Sequence, residues 1–188
     1  YAQSETEAFE QIKSLLSFLP INCQEPPPEK TSRLPLKPIT DDIIPDNRRN
    51  AYDVTNVIKG IVDGGDFLQV HERYAKNIVV GFARLDGKTV GIIANQPKFL
   101  AGVLDVNASD KAARFIRFCD AFGIRLLTFV DTPGYLPGVD QEHAGVIRHG
   151  AKLLYSYSEA SVPKITVIMR KAYGGAYIAM CSRHLGAN

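Results

Sequence analysis

Several common chemistries have no foothold in this sequence. Its 188 residues hold three cysteines, Cys23, Cys119 and Cys181, with neither a CxxC pair nor zinc-ligand spacing. An odd, scattered set fits free thiols in a reducing compartment. No uninterrupted apolar stretch approaches about 18 residues, so no membrane-spanning helix is expected. The net charge of +2 comes without a dense Lys/Arg block, which removes the argument for nucleic acid or an anionic membrane. There is no G-x-S-x-G, so a hydrolase elbow is unsupported. There is no Walker loop and no G-x-G-x-x-G, so nucleotide binding is unsupported as well. His143 and His149 lie about 240° apart around one helix and form no metal pair; no metal site is expected. No short internal repeat or low-complexity tract occurs.

What is present fits an ordinary globule: 45% hydrophobic and 22% charged residues can build a core. Ser4-Glu5-Thr6-Glu7 is a capping box, with Glu7 reaching back to the cap. Phe9, Ile12, Leu15, Leu16 and Leu19 follow at helical spacing, and Pro20 ends the run. From Cys23 to Asp46 come Pro26, Pro27, Pro28, Pro35, Pro38 and Pro45, a stiff extended connector. These features divide the chain into a helix over 1–20 that belongs to a preceding domain, a linker over 21–46, and a domain over 47–188. The chain starts at Tyr1 without a signal-peptide layout and stops soon after a helix. Both ends look cut from something longer, with the last domain incomplete.

Within that domain, the spacing predicts a helix over 52–62 stopped by Gly64-Gly65, then a short strand over 67–70. Runs over 77–85 and 88–95 flank Asp86-Gly87, a strong hairpin signal. A helix over 109–122 closes at Gly123. A strand over 126–130 is apolar except for Thr128, as burial on both faces requires. A Pro/Gly loop over 131–140, a long helix over 141–160 and a buried strand over 164–169 complete the series, and a short helix begins near Ala176. Strands alternating with helices point to an α/β layer fold with parallel strands.

The glycines of Arg170-Lys171-Ala172-Tyr173-Gly174-Gly175-Ala176-Tyr177 fall where a strand hands over to a helix. There the first helical N–H groups lack internal partners, the helix dipole is positive, and glycine lets an oxygen approach. The stretch is either a preformed oxyanion pocket or a plain Gly-Gly turn. The loop Asp131–Gly138 also follows a strand C-terminus, where open α/β sheets bind ligands. Small Ala101 and Gly102, in the loop after the hairpin, offer a second approach for a backbone N–H or a simple turn. Asp131 reads as a base or a loop-former. Arg170 and Lys171 either neutralise an anionic ligand or are solvated or ion-paired. Tyr155 and Tyr157 read as packing or an interface.

Taken together, Asn95–Lys98, Lys111–Phe122, Phe129–Gly138, Ile147–Lys152 and above all Arg170–Tyr177 resemble the carboxyltransferase β subunit of acyl-CoA carboxylases. The members of that family it resembles are propionyl-CoA carboxylase β chains, methylmalonyl-CoA carboxyltransferase and biotin-dependent decarboxylase α subunits. The likeness runs from about Ser4 to Asn188. Phe99–Asp105 is also similar to the oxyanion loop of crotonases. The resemblance implies the crotonase/ClpP-like superfold, a ββα-type spiral of mostly parallel strands, truncated here at its C-terminus. It implies carboxyl transfer between carboxybiotin on a carrier protein and the α-carbon of a short-chain acyl-CoA such as propionyl-CoA.

In such enzymes the second domain holds carboxybiotin, and the first domain of a partner subunit holds the acyl-CoA. On the matching positions, the N–H groups of Gly175 and Ala176 stabilise the ureido oxygen once CO2 leaves. The biotin nitrogen takes the thioester α-proton, and the enolate attacks CO2, so no side-chain base is needed. Gly134, Tyr135, Tyr173 and Gly174 belong to the biotin site; Ala101, Gly102 and Ile178 belong to the substrate side. Ile178 stands where propionyl-type relatives have Asp and acyl-chain preference is tuned. Met169 and Met180 are not followed by Lys, so biotin is not attached here. The implied partners are a biotin carboxylase, a biotin carboxyl carrier protein and further copies of the subunit, as dimers within a hexamer. The implied location is the cytoplasm, or the mitochondrial matrix in a eukaryote. The alternatives are a crotonase-type hydratase or isomerase, using Glu142 and Asp131 as its carboxylates, an acyl-CoA decarboxylase subunit, and a non-catalytic assembly module.

Overall fold

The computed structural model describes residues 1–188. Helix α1 (Glu5–Leu16) starts at Ser4, whose hydroxyl accepts from the Glu7 N–H at 3.2 Å. The Glu7 carboxylate takes the Gln3 N–H instead of reaching back to Ser4. The helix stops before Pro20, and its apolar stripe divides. Phe18 is buried with Leu15 and Leu19 packed beside it, whereas Phe9, Ile12 and Leu16 face out. Residues 21–46 form no helix or strand, because proline supplies no N–H and fixes φ.

Helix α2 (Val54–Lys59) is capped by Asp53, whose carboxylate accepts the Thr55 N–H. It ends at Gly60, short of the expected Val62. Strands β1 (Phe67–Val70), β2 (Ile78–Leu85), β3 (Lys88–Asn95), β4 (Arg125–Thr132) and β5 (Lys164–Ala172) make one sheet in that order. The β2–β3 hairpin turns at Asp86 and Gly87, with φ of 50° and 76°, the left-handed pair of a tight two-residue turn. Pairing is antiparallel around β2 and parallel from β3 to β5. Four of the five strands therefore run the same way, and β2 runs against them.

Helices α3 (Val106–Ala121) and α5 (Val146–Glu159) cover one face, and α2 covers the other. Successive residues of β3 and β4 serve opposite cores. Ile93, Leu126 and Val130 meet Ala112, Ile116 and Leu153, while Ile92, Leu127 and Phe129 meet Val54, Val57 and Ile58. The period-two geometry of a strand turns a continuous apolar run into two buried faces.

Beyond α2, two further boundaries and the burial of one strand depart from expectation. Helix α3 begins at Val106, because Asp105 accepts the Ala108 N–H at 2.7 Å and caps it ahead of Ser109. The helix expected over 141–160 is two pieces, α4 (Val139–His143) and α5, broken where Gly145 adopts φ 83°. Strand β5 is an edge strand, with Ile165 and Ile168 each 52% exposed, not the buried strand its composition indicates.

Lys111 of α3 is 3% exposed and donates to the carbonyls of Tyr74, Ala75 and Ile78 at 2.7, 3.2 and 2.8 Å. Burial brings its pKa down to about 8, and the three acceptors use the three ammonium protons present at neutral pH. They pin a loop in which His71 and Ala75 hold φ of 53° and 43°. Replacement by Met takes this donor from the Tyr74 and Ile78 carbonyls and leaves Ala75 with the Ile78 N–H alone. Lys111→Met is expected to lower stability by about 2–3 kcal/mol in urea denaturation at pH 7; an unchanged midpoint contradicts the clamp.

Candidate active site

The β3–β4 pairing ends at Ala94 and Phe129, while β4 and β5 stay paired to Thr132 and Ala172, and the loops leaving the three strands meet. Leu104 and Tyr135 form a short parallel bridge: Leu104 N–H donates to the Gly134 carbonyl at 3.0 Å, and Leu136 N–H to the Leu104 carbonyl at 2.7 Å. Tyr173 N–H reaches the Thr132 carbonyl at 3.4 Å. The β4–β5 register shifts between Val130 and Thr132, and that irregularity is filled by side chains.

Asp131 lies in this gap, 1% exposed. One carboxylate oxygen accepts from Arg170 Nε at 2.9 Å; the other accepts the Lys171 N–H at 3.1 Å. Arg170 Nη1 donates to the carbonyls of Pro45, Asn47 and Asn50 at 3.3, 3.4 and 3.0 Å. Its guanidinium lies 4.7 Å from the Tyr52 ring centre. Burial, then the Asp131 charge, pushes the Tyr52 phenol up. One buried ion pair thus anchors the end of the linker and the foot of the glycine turn. It also bears on two questions of role: Arg170 is ion-paired, and both oxygens of the buried Asp131 are engaged in holding Arg170 and the Lys171 N–H.

Helix α6 (Gly174–Ala179) starts four residues beyond Arg170. Gly174, Gly175 and Ala176 donate no backbone hydrogen bond within the chain; the first of this helix to do so outside it is Tyr177, to Tyr173. No side chain caps the helix. Gly174 adopts φ 57°, and a Cβ on either glycine would meet nothing within 4 Å. The space above both is open. The two amides differ in access: Gly175 is exposed, whereas Ala176 is buried in the core.

Tyr173 is exposed, and its hydroxyl accepts from Arg48 Nη1 at 3.3 Å. Ile178 is exposed on α6. Gly134 adopts φ 151° with open space at its Cβ position. Tyr135 is turned away: its hydroxyl is buried and packs where a Cβ on Gly150 would sit, 2.8 Å off. In the loop after β3, Leu100, Ala101 and Gly102 have φ of 48°, 51° and 77°. Ala101 is exposed and its N–H donates to nothing in the chain, whereas Gly102 donates to the Phe99 carbonyl at 3.0 Å. Of the two small residues, only Ala101 offers an amide. Glu142 is exposed on α4 and His149 pairs with Asp110, so no second carboxylate joins Asp131.

The match to known proteins decides the family. The carboxyl transferase domain model matches residues 1–188. The chain belongs to the carboxyl transferase domain family. It is 57% identical to the propionyl-CoA carboxylase carboxyltransferase subunit of Haloferax mediterranei, over 98% of this chain and 36% of that protein. It is 55% identical to the methylmalonyl-CoA decarboxylase α subunit of Propionigenium modestum, over 100% of this chain and 37% of that one. The solved transcarboxylase 12S hexamer, with methylmalonyl-coenzyme A bound, superposes with a TM-score of 0.95 at 54% identity, covering 100% of this chain and 37% of that one. The layered α/β architecture is thus the crotonase-like fold of carboxyltransferases. The chain spans little more than a third of the length of these relatives.

Sequence reading found the glycine turn and missed what holds it: the Asp131–Arg170 pair and the Pro45–Asn50 carbonyls. The one available signal was an arginine just before the glycines, equally readable as a ligand for an anion. Asp131→Asn leaves a buried guanidinium without its counter-charge. It is expected to destabilise the fold by about 3–5 kcal/mol in denaturant titration, and Asp131→Asn with Arg170→Met by clearly less; equal losses contradict a coupled pair.

Proposed function

We propose that this chain is the biotin-side part of a carboxyltransferase subunit that moves a carboxylate between carboxybiotin and a short-chain acyl-CoA. One observation carries the reading: three consecutive amides at the start of α6 have no acceptor in the chain, and two of them belong to exposed glycines with open space at their Cβ positions. Donors already aimed where negative charge develops need no reorganisation during reaction. When bound, biotin supplies the transferable carboxylate and the nitrogen that accepts the substrate's α-proton. The chain's own contribution is positional. The Gly175 N–H is the reachable donor to the ureido oxygen, and the Ala176 N–H backs it from the core side. The α6 dipole adds positive potential, and Arg170, neutralised by Asp131, holds the foot of the turn. The glycine surface accommodates a ring because no Cβ intrudes at Gly134, Gly174 or Gly175.

Residues 1–20 close a preceding half and 21–46 link it to this domain; the outward face of Phe9, Ile12 and Leu16 supports that division. The acyl-CoA, a biotin carboxylase, a biotin carrier protein and further copies of the subunit are the partners, with dimers arranged in a hexamer as in the transcarboxylase core. No helix of the chain is long and apolar enough to cross a membrane, and the cytoplasm, or the mitochondrial matrix of a eukaryote, is the assigned location. Asp131, held by Arg170, and the exposed Glu142 leave the hydratase alternative without a catalytic pair.

The test is carboxyl transfer by the complete subunit from a carboxylated carrier to a panel of acyl-CoAs. Gly175→Val is expected to reduce transfer at least ~100-fold with the fold kept; retained transfer sinks the proposed hole. Ile178→Asp is expected to shift the acyl-chain profile, and an unchanged profile removes Ile178 from the substrate side.

A further inference from the structure

The β3–β4 ladder ends at Ala94 paired with Phe129. Beyond it the backbones separate, and the Asp131 N–H, 1% exposed with its residue, needs another acceptor. Asn95 supplies it. Its Oδ1 accepts the Asp131 N–H at 3.1 Å, and its Nδ2 donates to the Gly102 carbonyl at 3.2 Å. The side-chain amide, itself 1% exposed, extends the ladder like an inserted peptide unit.

The two groups it joins belong to different loops. Gly102 ends the turn in which Leu100, Ala101 and Gly102 all lie in the left-handed region. Two of these are not glycine, and such a run persists only when its surroundings fix it. The turn rests directly on the Asp131 peptide, since a Cβ on Gly102 would lie 2.4 Å from the Asp131 carbonyl oxygen. From the other side, Asn77 Nδ2 donates to the Val103 carbonyl at 2.8 Å. Asp131 in turn grips Arg170 and the Lys171 N–H, three residues before Gly174. A chain of contacts therefore runs from the Ala101 amide through Gly102, Asn95 and Asp131 to the foot of the Gly174–Ala176 turn.

We infer that Asn95 is a positioning residue: it sets the separation of two backbone-amide elements, the Ala101 N–H on one loop and the Gly175 N–H on the other. The inference rests on the proposed use of those amides in carboxyl transfer. Asn95 touches neither biotin nor acyl-CoA. Its effect is on alignment, which acts on turnover more than on substrate binding.

Two substitutions in the complete subunit test this. Asn95→Leu fills the space and makes neither bond. It is expected to lower kcat by about 10- to 100-fold while the KM for acyl-CoA stays within about threefold. Asn95→Asp keeps the acceptor for the Asp131 N–H but loses the donor to Gly102 when ionised. Protonation restores that donor, so the ratio of its kcat to the parent's is expected to rise as pH falls from about 8 to 5.5. A void left in the core would give no such recovery. A folded Asn95→Leu enzyme with kcat within twofold of the parent overturns the inference, and so does an Asn95→Asp ratio flat with pH. If Asn95→Leu does not assemble, the isosteric Asn95→Asp profile decides. The Gly175→Val variant separates the two levels. Transfer retained there removes the reading of the site; transfer lost there, with full activity in both Asn95 variants, removes only the role of Asn95.

Discussion

The buried pair between Asp131 and Arg170 is the interaction on which the site's geometry depends. Parallel strands must separate at their C-terminal ends to leave a crevice, and separation strips backbone groups of partners. At this point the sheet replaces peptide bonding with charge. Asp131 takes the Arg170 guanidinium and the Lys171 N–H on its two oxygens. Arg170 turns its Nη1 to three carbonyls of the segment before α2. Removing two charges from water is costly unless geometry and extra bonds compensate, and here every bond falls at a junction that needs it. The linker end, the β4 end and the β5 end are held to one another, and the glycine turn leaves from that fixed point.

The same economy of groups explains why the turn itself is bare. Side chains near it are engaged elsewhere: Tyr135 packs on Gly150, His149 pairs with Asp110, and Tyr173 meets Arg48. What the turn itself offers is backbone N–H at a helix start, with the Lys171 ammonium, unpaired in the chain, three residues upstream. A site of that kind offers fixed dipoles and no proton acceptor. It suits a reaction in which charge appears on a bound oxygen and the proton is taken by a group that arrives with the substrate.

Much of the fold was legible because it follows from local chemistry. The Asp-Gly turn, the alternation that buries both faces of β4, and the strand-to-helix glycines each have a cause within a few residues. The misplaced boundaries have causes that lie farther away or compete. α3 starts three residues before the expected Ser109 because the Asp105 carboxylate reaches the Ala108 N–H. Gly145 breaks a helix whose apolar pattern continues through it. β5 has buried-strand composition but is the outermost strand of this chain's sheet, and the chain spans little more than a third of its relatives' length. The glycine turn could be located, yet its supports could not: Asn95 to Asp131 and Arg170 to Asn50 join residues 36 and 120 positions apart.

The family match covers every residue of the chain but little more than a third of its relatives' length. The central claim concerns one contact, and it is measured most directly by the position of the ureido oxygen in a crystal structure of the complete subunit with biotin bound. The expected result is that oxygen about 2.9 Å from the Gly175 nitrogen, on the open face of the turn. An oxygen held by side chains, or seated over the Ala101 turn with Gly175 still exposed to water, contradicts it.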